Sequence, residues 1–386
     1  MAAPVYLDYN ATTPVDPEVA QAMLPFLHEA FGNPSSSHGF GARAKRAVDD
    51  ARSHVAALIG CAPAQLTFTG SATEASNLAL LGVAKAAGRG GRRHLVVSAV
   101  EHPAVLEPAR ALEREGWRLT VLPVDRDGRV SPDAVAAALA PDTALVSVMH
   151  ANNEVGTIQP IAEIAALTRA RGVTLHCDAA QSAGKIAIDV DALGVDLLSL
   201  AGHKFYATKG VGALYVRTGT AIEPVLFGAD QEQGLRPGTE NVPAIVGLGE
   251  AARLAARRLP QATQRLRALR DDLHARLQAA VPGLALNGHP EHRLPNTLQV
   301  SFPGVAGRAL LRRAQDEVAA SVGSACHSEQ DAVSGVLAAM GLDAARAMGA
   351  VRLSVGWMTT SAEIERAAGA LVAAWRSLGA APGLEA

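Results

Sequence analysis

The sequence predicts an α/β fold: a large, mainly parallel seven-stranded sheet, followed by a smaller α+β unit. Three observations carry that expectation. Seven short β-branched or Leu-rich runs recur between residues 66 and 217 and alternate with longer Ala-rich segments, the rhythm of strands joined by crossover helices. The runs are almost continuously apolar, as strands covered on both faces are. Beyond residue 248 a long helical stretch begins, in which Leu266, Leu269, Leu273 and Leu277 recur at spacings of three and four, the stripe of an amphipathic helix.

In chain order, the apolar piece at residues 5–7, followed by Thr12 and Pro14, is expected to pack on the C-terminal unit. Strands are expected at residues 66–69, 95–100, 119–124, 144–149, 173–177, 195–200 and 212–217, all buried on both faces. A domain boundary is expected near residue 255. After it, residues 297–302 and 351–355 read as strands and 362–378 as a closing helix. The organisation expected is a large domain of residues 15–255, and a small domain of residues 1–14 and 256–386 that carries the loop around Cys326. No internal repeat or low-complexity tract is evident.

The 386 residues include 35 Lys+Arg against 37 Asp+Glu, a formal net charge of −2, and 49% are hydrophobic. Such a chain folds around a sizeable core. Its charge gives no electrostatic footprint for nucleic acid or an anionic membrane. No apolar run approaches the ~18 residues of a membrane span and no secretory pattern opens the chain, so a cytoplasmic protein is expected. Cys61, Cys177 and Cys326 are each more than a hundred residues apart and form no CxxC pair, which argues against a zinc ribbon or disulfide framework and for a reducing compartment. No metal site is expected. The P-loop, GxSxG, HExxH and GxGxxG patterns are all missing.

Ligands of open α/β sheets sit at the carboxyl ends of the strands, and polar residues follow almost every run. Gly70-Ser71-Ala72-Thr73-Glu74 opens a helix whose free N–H groups suit a phosphate, although Thr73 as an ordinary helix cap explains it equally well. Glu101-His102 follows the second run, and His150-Ala151-Asn152-Asn153-Glu154 the fourth. Asp178 and Gln181 follow the fifth, and His203-Lys204 the sixth. Each has a bland reading as a cap, a turn or a surface charge. Together at one sheet edge they are the parts that hold pyridoxal 5′-phosphate: a lysine for the Schiff base, a carboxylate that keeps the pyridine nitrogen protonated, a phosphate turn, and an imidazole for the ring face.

Nine stretches in order resemble the cysteine desulfurases, class V members of the fold-type I pyridoxal-phosphate enzymes. They are Tyr6-Leu7-Asp8-Tyr9-Asn10-Ala11-Thr12-Thr13-Pro14, Phe31-Gly32-Asn33-Pro34-Ser35-Ser36, Glu101-His102, Asn152-Asn153-Glu154-Val155-Gly156, Asp178-Ala179-Ala180-Gln181, Gly202-His203-Lys204, Arg236-Pro237-Gly238-Thr239-Glu240-Asn241, Gly323-Ser324-Ala325-Cys326 and Arg352-Leu353-Ser354-Val355-Gly356. The resemblance implies that Lys204 is the Schiff-base lysine, Asp178 the partner of the pyridinium nitrogen, Gln181 a donor to the ring oxygen, and His102 the stacking imidazole and proton carrier. It implies phosphate contacts from Ala72, Thr73 and His203, with Thr239 arriving from the neighbouring subunit of a homodimer. Arg352, through a bidentate fork, with Asn153 and Asn10, would take the substrate carboxylate. Cys326 would be the nucleophile that takes sulfur from L-cysteine as a persulfide, releases L-alanine, and passes the sulfur to an acceptor scaffold such as one serving iron–sulfur cluster biogenesis.

The residues support Cys326 separately. Gly323, Ser324 and Ala325 give it an unhindered approach, and His327, if protonated, would lower its pKa. Cys177 lies in an expected buried strand and Cys61 at a helix end, so both read as structural. Departures from the family pattern stand at Gly70-Ser71, Ala201, Ala207-Thr208, Gly228-Ala229-Asp230 and Trp357, and bear on phosphate and substrate contacts. The Cys326 loop and residues 235–241 are also similar to selenocysteine lyase, which would take L-selenocysteine on the same scaffold. A persulfide-presenting binding module with little activity of its own is a third reading. A dinucleotide-binding dehydrogenase is disfavoured by the missing glycine fingerprint.

Overall fold

The computed structural model describes residues 3–323 and 334–379. Its strands, in chain order, are β1 (Val5–Tyr6), β2 (Leu66–Thr69), β3 (His94–Ser98), β4 (Arg118–Leu122), β5 (Thr143–Ser147), β6 (Thr174–Asp178), β7 (Leu197–Ala201), β8 (Gly212–Val216), β9 (Ala285–Asn287), β10 (Thr297–Ser301), β11 (Val318–Ala319) and β12 (Ala350–Ser354). Seven of them form one sheet in the order β2-β8-β7-β6-β5-β3-β4. β8 is antiparallel to both its neighbours, and the remaining pairs are parallel. Consequently β2, β3, β5, β6 and β7 all point their carboxyl ends at the same edge. After β3 the chain steps outward to β4 and then crosses back to β5 on the other side of β3. That reversal opens a crevice where ligands of such sheets bind.

The seven expected strands are all present, within one or two residues. The expectation that all are buried on both faces fails at β4. This is the sheet edge, Arg118 is exposed, and Val121 keeps 48% of its surface. With no strand beyond it, β4 leaves Arg118 exposed, and the guanidinium reaches back past the start of β3 to Asp142, just before β5, at 2.6 Å. Polar side chains inside the other strands are answered in pairs. Ser147, His176 and Ser199 form a buried chain across β5, β6 and β7, with contacts of 2.8 and 2.9 Å, and Ser76 of the overlying helix joins it at 3.1 Å.

One helix, Val242–Ala280, runs straight through the expected boundary at residue 255. Its first half, to Leu254, packs into the core beneath the large sheet, and its second half, from Leu266, packs into a separate core. That second core joins Leu266, Leu269, Leu273 and Leu277 to Val5 and Leu7, to the antiparallel sheet β12-β10-β9, and to the closing helix Ser361–Gly379. The N-terminal β1 pairs with β11, so the first residues reach the C-terminal unit as their sequence suggests. Leu273 and Leu277 are fully buried, and truncating either to Ala costs about 2–5 kcal/mol. No helix among the described residues is long and apolar enough to cross a membrane.

Candidate active site

The strand-end residues converge on one cavity at the carboxyl edge of the large sheet. Lys204 and His203 reach it from the short helical turn after β7, Asp178 and Gln181 from the end of β6, and His102 from the end of β3. Asn153 and Arg352 close one side, and Ser71, Ala72 and Thr73 the other.

Lys204 donates from Nζ to the backbone carbonyls of Asn10 at 2.6 Å and Ala11 at 2.8 Å, so the N-terminal segment lies directly against the amine. His102 caps the helix Pro103–Arg114, its Nδ1 accepting the Ala104 N–H at 3.0 Å. The structural and functional readings of this residue therefore both hold. With Nδ1 occupied as an acceptor, the ring proton sits on Nε2. Burial holds the imidazole below its ordinary value; Asp178 opposes that shift and Lys204 adds to it. Burial likewise raises the Asp178 carboxyl, against the Ala180 N–H, His102 and Lys204, all of which favour its charged form. A cationic ring N–H beside it would further favour the charged form of this desolvated carboxyl.

On the phosphate side, Ser71 and not Thr73 is the helix cap, accepting the Glu74 N–H at 3.1 Å. Ser71 holds the extended backbone that a cap requires, whereas Thr73 is already inside the first turn and stands exposed at the cavity rim. Glu74 returns to the Gly70 N–H at 2.8 Å and pairs with Arg236 at 2.9 Å. The inverted Gly70-Ser71 thus keeps an intact N-terminal turn. Ala201 is buried and lines the cavity without a hydroxyl. His203 contacts Thr12 Oγ1 at 3.2 Å; burial, with Lys204, Lys209 and Lys185, pushes it down to about 4.

On the opposite side, Arg352 is buried in β12 and donates to the Asn153 carbonyl at 2.9 Å and to Asp8 Oδ1 at 2.8 Å. Its buried Nε has no partner among the described residues. The guanidinium is held by two anchors at the wall of the cavity. Asn10 lines the same cavity. Its side-chain nitrogen donates to Asn153 O and Thr297 Oγ1, and its side-chain oxygen accepts from Lys185 and Asn296. With its side-chain donors and acceptor engaged inside the protein, Asn10 holds the lysine's surroundings in place.

Thr239 lies on an exposed turn and is not part of its own chain's cavity. Cys326, with Ser324, Ala325 and His327, lies outside the described residues; the described chain before it bridges Ser321 to Arg352 at the cavity's edge. Burial pushes Cys61 up to about 12 and Cys177 well above the ordinary thiol range. Trp357 faces away from this cavity. It stacks on Arg258 and Arg265, 5.7 Å from each guanidinium, and lines a separate apolar cavity behind Lys204. Sequence reasoning missed Lys185, which is 6% exposed; its only sequence signal is a lysine four residues after Gln181.

The model of the family described as "Aminotransferase class-V" matches residues 5–367. The chain belongs to that family. Among its relatives, a cysteine desulfurase IscS of Dictyoglomus turgidum is 46% identical over 365 residues, covering 94% of this chain and 92% of that one. A protein of the same name from Anaeromyxobacter dehalogenans is 48% identical over 370 residues, covering 95% and 91%. A solved NifS-like protein superimposes with a TM-score of 0.91 at 37% identity, covering 97% of this chain and all of that one. Family members are fold-type I enzymes that depend on pyridoxal 5′-phosphate, and the donors gathered here suit it. An amine, a desolvated carboxylate, a neutral imidazole, an amide and a helix N-terminus line one cavity, and these are the kinds of group that hold this coenzyme.

Proposed function

We propose that the chain is a pyridoxal-phosphate-dependent cysteine desulfurase, which converts L-cysteine to L-alanine and keeps the sulfur as a persulfide on Cys326. The observation that carries the reading is the convergence of Lys204, Asp178, Gln181, His102 and Arg352 on one cavity in a chain 46–48% identical to proteins named cysteine desulfurase.

When bound, the coenzyme supplies an electron sink for the substrate's Cα. Asp178 holds its ring nitrogen protonated, Gln181 donates to its ring oxygen, and Ala72, Thr73 and His203 take its phosphate. Arg352 and Asn153 receive the substrate carboxylate and fix Cα near Lys204 Nζ, which moves the Cα proton. His102, with its proton on Nε2, serves first as a donor. The Cys326 thiolate attacks the substrate sulfur, and as that S–S bond forms the C–S bond breaks. Its electron pair stays with Cβ, which takes a proton, and L-alanine leaves.

Supporting the homodimer is the exposed position of Thr239, which suits a contribution to the partner's phosphate site. A protein sulfur acceptor, a role in iron–sulfur cluster assembly and a cytoplasmic location belong to the same reading. The change of core between Leu254 and Leu266 supports a large domain of residues 15–255 and a small one of residues 1–14 and 256–386.

Amino-acid and sulfide analysis with L-cysteine and L-selenocysteine under identical conditions tests the function. With a dithiol present to reduce the persulfide, turnover of L-cysteine to equimolar L-alanine and sulfide is expected. Turnover of selenocysteine alone would move the assignment to selenocysteine lyase, which the relatives' names do not favour.

A further inference from the structure

Lys185 is a buried amine for which the proposed mechanism has no use. It sits on the turn after Asp178, and its Nζ donates to Gln181 Oε1 at 2.9 Å and to Asn10 Oδ1 at 3.3 Å. Among the described residues no carboxylate lies within ion-pair distance of it, and two other cations, Lys204 and Arg352, stand close. An ammonium has three N–H groups to satisfy and an uncharged amine has two. The two acceptors match the uncharged form, and burial with those neighbouring cations acts in the same direction. The turn is built to hold the amine there. Gly184 has φ +72° and a Cβ on it would lie 2.7 Å from Phe205 Cβ, while the Lys185 carbonyl accepts from Thr263 of the long helix at 3.0 Å.

The amide geometry follows from this contact. Because Lys185 donates to Gln181 Oε1, the carbonyl end of that amide faces away from the cavity. Its nitrogen donates to the Asn10 carbonyl at 3.0 Å, the same carbonyl that receives Lys204, and keeps a second N–H.

We propose that Lys185 is a positioning residue: it locks the Gln181 amide with its N–H side toward the coenzyme and ties it, through Asn10, to the backbone turn that receives Lys204. This rests on the pyridoxal-phosphate reading of the cavity.

The test is a double-mutant cycle read by the dissociation constant of pyridoxal 5′-phosphate and the position of its visible absorption band, with Lys185→Met and Gln181→Ala. Lys185→Met keeps length and removes the donor, so affinity is expected to fall roughly tenfold, the loss typical of one buried hydrogen bond. In the Gln181→Ala background the same change is expected to cost little, because the residue acts through that amide. Lys185→Gln, which restores an N–H, is expected to bind within about threefold of wild type with an unshifted band. Equal losses in both backgrounds, or a Lys185→Gln variant as weak as Gln181→Ala, would overturn the proposal. A Gln181→Ala variant that binds like wild type would instead remove Gln181 from the coenzyme site, and a wild-type chain that binds no coenzyme would remove the underlying reading.

Discussion

The side chain of Glu101 accepts the backbone N–H of Met149 at 2.8 Å, joining the loop after β3 to the loop after β5 where the strand order of the large sheet reverses. The same Oε1 accepts from Ser98 at 2.5 Å. The crevice that holds the candidate site is therefore braced by a carboxylate directly beneath His102 in sequence.

That brace titrates in an unusual range. Oε2 of Glu101 is buried without a partner among the described residues, and burial pushes the group up from 4.5 to about 8, with Asp178 adding to the shift and Ser98 and Met149 opposing it. A carboxyl whose folded value lies above its unfolded one binds more protons in the folded chain between the two. Its contribution to stability is full below about pH 4.5, declines as the pH rises, and is lost through about pH 8. Glu101→Gln removes this titration at nearly constant shape. Denaturation midpoints measured across that range are expected to fall for wild type relative to the variant as pH rises; parallel curves would show that Glu101 does not titrate there.

The thiols give a second contrast. Cys61, pushed up to about 12, keeps a thiolate fraction roughly a thousandfold below that of an ordinary thiol near pH 8.5, and Cys177 is fully buried. Alkylation with iodoacetamide at neutral pH, followed by peptide mass spectrometry, is expected to modify Cys326 and spare the other two until denaturant is added. Cys326→Ala is expected to abolish sulfide release while the bound coenzyme keeps its colour, and Cys61→Ala and Cys177→Ala to retain turnover. Undiminished turnover in Cys326→Ala would remove it as nucleophile.

Arg352→Lys tests the carboxylate fork. The guanidinium already spends one N–H on Asp8 and one on the Asn153 carbonyl, so a single ammonium cannot keep both anchors and still meet a carboxylate with two parallel N–H groups. Loss of a charge-assisted bidentate contact of this kind is worth about 1.5–3 kcal/mol, or a KM for L-cysteine raised roughly ten- to a hundredfold, with coenzyme absorbance unchanged. Steady-state kinetics that leave KM at its wild-type value would place the substrate carboxylate elsewhere.

How far the sequence alone reaches can be seen residue by residue. The strands, the leucine stripe from Leu266 to Leu277 and the strand-end polar groups were legible, because periodicity and the rule placing ligands at carboxyl edges act locally. What depends on contacts between distant segments was not. Asn10 meets Thr297 and Asn296, so nothing near residue 10 reveals that its amide is fully engaged. Lys185 reads as an ordinary surface lysine until its turn is folded under the N-terminal segment. The exposure of β4 and the unbroken helix through residue 255 likewise belong to sheet order and core sharing, which no window of sequence contains.

Gly212 links that sheet order to coenzyme binding. It opens β8, held between β2 and β7 by hydrogen bonds on both sides, at the point where Ser71 and Ala72 begin the helix Ala72–Gly88. A Cβ there would lie 2.6 Å from the Ser71 carbonyl carbon, 2.6 Å from the Leu200 carbonyl oxygen and 2.9 Å from the Ala72 nitrogen. All three are backbone atoms, and the central strand cannot slide away from them. Gly212→Ala therefore has to displace the turn that presents N–H groups to the phosphate. It is expected to destabilise the chain by about 1–3 kcal/mol and to weaken pyridoxal-phosphate binding more than that of pyridoxal lacking the phosphate. Gly39→Ala, where a Cβ meets nothing within 4 Å, is the control expected to change neither affinity. Equal weakening for both ligands in Gly212→Ala would mean that the strand start supports the cavity as a whole and not the phosphate turn.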